Sequence, residues 1–147
     1  MSTVDATDEM VTLLAAFFAA VSFPEGGRPS YAAIRDLCSD GALLIKNTGD
    51  VPEISTVDEF IRPRHKQVDS GELTSFEEVE TADITEVFGN IGHRLSTYEK
   101  RGVANGAAFE AAGVISTQFI RTPAGWRISA MAWDDERPGL TIPDRYR

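Results

Sequence analysis

Met10, Leu13, Leu14, Phe17, Phe18 and Val21 recur at spacings of three and four, which puts them on one face of a helix. Thr7 or Asp5 can accept from the free amides at its start, and the acids there suit the positive end of the helix. Pro24, Gly26 and Gly27 end it, and residues 1–6 read as a loose tail. Pro29-Ser30 opens a short second helix through about Leu37, with Tyr31, Ile34 and Leu37 or Cys38 inward. A buried Tyr31 hydroxyl would need a partner. Gly41 restarts the chain as a strand, ALLIKN, and 50–52 turns it away. A third helix opens at Ser55 or Thr56, since both Ser55 to Asp58 and Thr56 to Glu59 have capping-box spacing. Val57, Phe60, Ile61, Arg64 and Val68 form its stripe, and Pro63 inside it predicts a kink or two short helices.

From Leu73 the period shortens towards two. Phe76, Glu78, Glu80, Ala82, Ile84, Glu86 and Phe88 alternate with Val79, Thr81, Asp83, Thr85 and Val87. Neither set is apolar throughout, so a bulge or bend is expected near Thr81. Gly89-Asn90 turns the chain into a strand in which His93, Leu95, Thr97 and Glu99 share one face and Arg94, Ser96 and Tyr98 the other. Residues 102–113, small and weakly patterned, read as a loop. A strand VISTQFIRT follows, then a turn at 123–125 and a last strand, WRISAMAW. Strict alternation there sets Trp126, Ile128, Ala130 and Ala132 against Arg127, Ser129, Met131 and Trp133. Three helices cover only one face of such a sheet. Met131 and Trp133 on the other face predict a homodimer, and residues 137–147 read as an irregular tail.

The chain of 147 residues has the size of one domain, spanning 1–147. Its net charge of -9, with a six-acid segment at 72–86, argues against a nucleic-acid groove. No apolar run approaches the ~18 residues a membrane helix needs. The single cysteine, Cys38, permits no internal disulfide and suits a reducing, cytoplasmic compartment.

The helix LLAAFFAAV, the strand GALLIKN, the helix VDEFIRPR, the hairpin FGNIGHRLSTYE, the segment GVISTQFIR and the end GWRISAMAWDDE stand in an order that resembles the NTF2-like superfamily. The nearest resemblance is to its SnoaL-like and polyketide-cyclase-like members, over roughly residues 8–136. It implies an α+β fold of three N-terminal helices on a strongly curved, mostly antiparallel sheet, forming a cone around an apolar pocket. It further implies a small, hydrophobic or carbonyl-containing molecule in that pocket; the homodimer predicted from Met131 and Trp133 would form through the convex sheet face. The cyclases of the family use a carboxylate on the late strands near a histidine. The counterparts here are Asp134 or Asp135, and His93; Asp134 is preferred because it shares parity with Trp126. Ketosteroid-isomerase-like members pair a buried acid with a tyrosine, for which Tyr31 and Tyr98 are candidates. The expected ligand contacts are Phe17, Tyr31, Phe60, Thr97, Gln118 and Trp126.

Three functions therefore compete: a binding domain without strong catalysis, a cofactor-independent lyase, isomerase or cyclase using His93 and Asp134, and an interaction scaffold anchored by Met131 and Trp133. A histidine near its unperturbed pKa of about 6.5 can take a proton at neutral pH, and a carboxyl buried beside Trp126 would be a weak acid. His65 and His93 lie on different elements without metal-ligand spacing, so no metal and no cofactor is expected. Cys38 has acids at 36 and 40, which oppose thiolate formation. No G-x-S-x-G occurs, and GNIGHR does not follow a strand into a helix as a nucleotide loop would. The basic run RPRHK at 62–66 reads as a solvated helix face with an anion site as the alternative.

Overall fold

The computed structural model describes residues 3–147. The elements are α1 (Thr3–Val21), a 3-10 helix (Tyr31–Leu37), β1 (Cys38–Lys46), β2 (Glu53–Thr56), α2 (Val57–Asp69), β3 (Leu73–Phe88), β4 (Ile91–Ala104), β5 (Ala107–Thr122), β6 (Gly125–Asp135) and a second 3-10 helix (Asp144–Tyr146). Helix α1 follows its apolar stripe: Met10, Leu14 and Phe17 are buried, while Val11 on the far side is exposed. Each such side chain contributes about 1.5–3 kcal/mol by leaving water. The loose start expected over 1–6 is helical from Thr3, and Ala6 is buried; residues 1–2 lie outside the described residues.

Helix α2 opens on the capping box of Thr56 and Glu59, each satisfying the other's backbone amide. It runs through Pro63 as one helix rather than two. The proline costs a single amide that would otherwise reach the Glu59 carbonyl.

One six-stranded sheet carries all the strands, in the order β2-β1-β6-β5-β4-β3. This corrects the expected strongly curved cone. The sheet is open, with β2 and β3 as its two edges, and it is mixed, because β1 runs parallel to β6. The physical reason is the chain path. The 3-10 helix delivers β1 beside the last strand, and β2 then hairpins outward, so nothing joins β2 back to β3. The three N-terminal helices are present and their core is continuous with one sheet face, but the middle one is 3-10.

Residues 102–113 are not a loop. They are the ends of β4 and β5, joined at Asn105-Gly106, both at positive φ. An Asn-Gly pair suits this two-residue turn.

Two bulges set which side chains face the helices. In β3, pairing steps from Glu80↔Tyr98 to Ala82↔Thr97, so Thr81 is the extra residue expected near that position. In β6, pairing steps from Phe119↔Ile128 to Gln118↔Ala130, leaving Ser129 over. Period two breaks there. Trp126, Ile128, Met131 and Trp133 consequently all join the buried core. Met131 and Trp133 are therefore not anchors on the outer face.

On that outer face a row crosses the sheet: Ile54, Ile45, Ala132, Ser116, Leu95 and Ile84. The C-terminal segment, expected to be irregular, packs back on this side. Thr97 donates to the Tyr146 carbonyl, Ile142 is buried, and the Ile142 amide meets Glu136 Oε2 at 2.8 Å. Among the described residues no helix is long and apolar enough to cross a membrane.

Candidate functional site

A cavity of about 300 Å³ lies between the helices and the sheet. Its apolar wall is made by Phe17 and Val21 of α1, Phe60 of α2, Phe76 of β3, Phe109 of β5 and Trp133 of β6. Phe60 packs edge-on to Trp133 at 6.0 Å and tilted to Phe17 at 6.2 Å, which fixes three of these rings against one another. Tyr31, Lys46, Glu53, Arg64, Glu78 and Lys100 add polar groups to the lining.

Glu78 is held in place by the end of α1. Ser22 donates to the Phe18 carbonyl at 2.7 Å, and its oxygen accepts the Glu78 amide at 3.1 Å. Phe23 and Phe76 exchange a pair of backbone bonds beside it, at 2.7 and 3.0 Å. The Glu78 carboxyl thus points into the cavity from a backbone tied on two sides. Burial pushes its pKa up to about 7; Lys100 and Arg64 oppose the shift and Asp135 reinforces it.

Behind Glu78 stands Tyr98, fully buried, with its hydroxyl 3.0 Å from the Asp134 carbonyl and hydrogen-bonded to Asp135 Oδ1. Gly113 makes the room, since a Cβ there would overlap both the Asp134 carbonyl and the Tyr98 hydroxyl. Lys100 Nζ lies 3.0 Å from Asp135 Oδ1. Burial and the neighbouring carboxylates push the Tyr98 pKa far above its ordinary value, so this hydroxyl stays protonated.

Arg64 enters from α2. Its guanidinium sits 3.7 Å above the Phe60 ring and donates to the Phe60 carbonyl at 2.9 Å, while the nearest carboxylate, Glu53, is 4.0 Å away. Burial lowers its pKa. Tyr31 is buried against His65 with ring centroids 5.3 Å apart, and burial raises its pKa while Arg64 opposes that shift.

The residues singled out in the sequence divide sharply. Phe17, Tyr31 and Phe60 line the cavity. Trp126 faces the same side of the sheet but lies in the packed core, outside the cavity lining. Thr97 and Gln118 sit on the outer face, the former under the C-terminal segment.

His93 is also on the outer face, half exposed, with Nε2 2.8 Å from Glu86 Oε1. Asp134 points outward to Arg137 at 2.6 Å. The structure therefore does not bring His93 and Asp134 to the cavity or to each other. The Ser129 bulge exchanges Asp134 for Asp135, and Arg94, Ser96, Tyr98 and Lys100 are the inward set of β4.

Glu78 and Lys100 were missed as site residues, and Arg64 entered only through the alternative of an anion site on RPRHK. The signals were an acid in phase with Phe76, an arginine on the Phe60 stripe, and a lysine in phase with Tyr98. Among the described residues no group of three or more His, Cys, Asp or Glu side chains is placed to hold a metal ion.

No protein-family model matches the sequence. No curated protein matches it either. Solved structures do match. An NTF2-like superfamily protein from Salmonella enterica serovar Typhimurium superposes with a TM-score of 0.76 at 14% identity, over 92% of this chain and 94% of that one. An NTF2-like protein with a cystatin-like fold from Novosphingobium aromaticivorans gives 0.69 at 14% identity, over 90% and 82%. LinA gives 0.75 at 11% identity, over 91% and 88%. At these identities the likeness is one of fold: this chain has the NTF2-like α+β fold.

Proposed function

We propose that this chain binds a small, largely apolar carbonyl compound in the cavity, in the manner of SnoaL-like domains, and moves a proton on it through Glu78. The observation that carries the reading is the approach of Glu78 and Lys100 to one aromatic-walled cavity, with the Tyr98–Asp135 pair behind them. A carboxyl with a pKa of about 7 is half ionised at neutral pH, which suits a general base. It would take a proton from the carbon beside the carbonyl. The bonding pair would move onto the carbonyl oxygen as an enolate, and the Lys100 ammonium would stabilise that charge. Return of the proton at another carbon gives isomerisation; loss of a group from the neighbouring carbon gives elimination. His93 and Asp134 have no part in this scheme.

The test uses acetophenone in D₂O as probe, followed by NMR. The chain should accelerate loss of the methyl proton signal, with a rate rising through pH 7, and Glu78→Gln should abolish the acceleration. Binding without accelerated exchange would leave a carrier in place of a catalyst.

The outer-face row from Ile54 to Ile84 supports a second reading, a homodimer through that face. Ile54 is 58% and Ile84 40% exposed, and a row of this length, apolar except for Ser116, is costly to leave in water. Sedimentation at micromolar concentration should give a dimer, and Ile54→Glu with Leu95→Glu should give a monomer.

A further inference from the structure

The cavity has two differently furnished sides. On the β3–β4 side, Lys100 is matched by Asp135, and Glu78 stands beside them. On the side formed by β1, β2 and α2 the charges are not matched. Lys46 and Glu53 are cross-strand partners, yet no ion pair within 4.0 Å joins them. Arg64 spends one nitrogen on its own helix carbonyl and stands 4.0 Å from Glu53, the outer limit of an ion pair. Arg64 and Tyr31 both line the cavity, and the Tyr31 hydroxyl takes no hydrogen bond from the described residues.

A planar, partly buried guanidinium held over an aromatic ring is preorganised to grip a carboxylate with two parallel bonds. Three cations, Lys46, Arg64 and Lys100, line the cavity, against the carboxyls of Glu53 and Glu78 and, behind Lys100, of Asp135. With Lys100 matched by Asp135, Lys46 and Arg64 are left against Glu53 alone, a set short of one negative charge. One negative charge on the ligand would complete it, whereas a dianion would meet Glu53 beside Arg64.

From this we infer that the ligand is a small apolar monocarboxylate, its carboxylate gripped by Arg64 with Lys46 and the Tyr31 hydroxyl as supporting donors, and its apolar body among Phe17, Phe60 and Trp133. The inference rests on the proposed binding role of the cavity and adds the ligand's charge and the end by which it is held. A ligand so anchored would present its other end towards Glu78 and Lys100.

Isothermal titration with two probes of nearly equal shape, phenylacetate and phenylacetamide, separates the two claims. Phenylacetate should bind at least about tenfold more tightly. Arg64→Gln should erase that preference, weakening phenylacetate far more than phenylacetamide. Arg64→Lys, which keeps the charge and loses the fork, should restore part of it, and Lys46→Gln should weaken it less. Thermal unfolding of each variant verifies that the fold is retained. Equal affinity for both probes, or a preference that survives the double variant Arg64→Gln, Lys46→Gln, would overturn the carboxylate anchor and leave the cavity reading intact. Failure of both probes to bind would overturn both.

Discussion

Two clusters of charged side chains lie on the helix-covered face of the sheet, and they are finished differently. Around Arg94 every guanidinium nitrogen has a taker. Its Nε reaches Glu80 at 2.9 Å and its Nη2 pairs with the other Glu80 oxygen, while Nη1 lies 2.8 Å from Thr85 and 2.9 Å from Asp83. Ser96 closes the set on Glu80 at 2.6 Å. Around Glu78 the cluster faces a cavity, and Arg64 stands a full 4.0 Å from its nearest carboxylate. The first arrangement is complete without a ligand and holds strands together. The second is incomplete in a way a ligand can complete. Burial of charge alone does not mark a site; burial with unused hydrogen-bonding capacity does.

The comparison can be broken at several points. The largest effect on stability is expected from Arg94→Ala, which strands Glu80 and Asp83 beside the core and should cost about 3–5 kcal/mol in urea denaturation. A loss below about 1 kcal/mol would mean the cluster is not structural.

Glu78→Gln should behave in the opposite sense. A carboxyl whose folded pKa is raised is protonated in both states at low pH and contributes nothing there. As pH rises through its ordinary 4.5 and then through about 7, the unfolded chain ionises it freely and the folded chain only at a cost. The wild type therefore loses stability relative to Glu78→Gln across this window, and the difference should approach about 3 kcal/mol above pH 7. Denaturation of both proteins between pH 4.5 and 8 measures it, and a flat difference would remove the case for a weakly acidic Glu78.

Gly113→Ala should cost about 1–3 kcal/mol through its overlap with Tyr98 and the Asp134 carbonyl, and should shift the ring resonances of Tyr98 in NMR. The smallest effect is expected at His93. Its pair with Glu86 is solvent-exposed, so His93→Ala should change stability by about 0.5 kcal/mol or less and leave probe binding unchanged. A large loss of proton exchange in His93→Ala would reverse the assignment made here.

Local chemistry was legible wherever it is written in adjacent residues. The face of α1, the capping box at Thr56 and Glu59, and the bulge at Thr81 all follow from the order of residues, because each is decided within a few positions of itself. Asn105-Gly106 belonged to the same class and was passed over because the strands flanking it are small and weakly patterned. The Ser129 bulge was not legible in WRISAMAW. Its residues alternate acceptably in either phase, and one extra residue exchanges the two faces for the rest of the strand.

By itself, then, the sequence determined an α+β chain of apolar-faced helices and long strands with Phe17, Tyr31 and Phe60 on buried stripes. Only the tertiary structure decided that the sheet is open and mixed, that Met131 and Trp133 turn inward, and that Asp135 and Glu78, not Asp134 and His93, accompany Lys100. The reason is that alternation divides a strand into two faces without naming the inner one. That choice falls to pairing register and to which face the helices cover, and both are set by residues far apart in the chain.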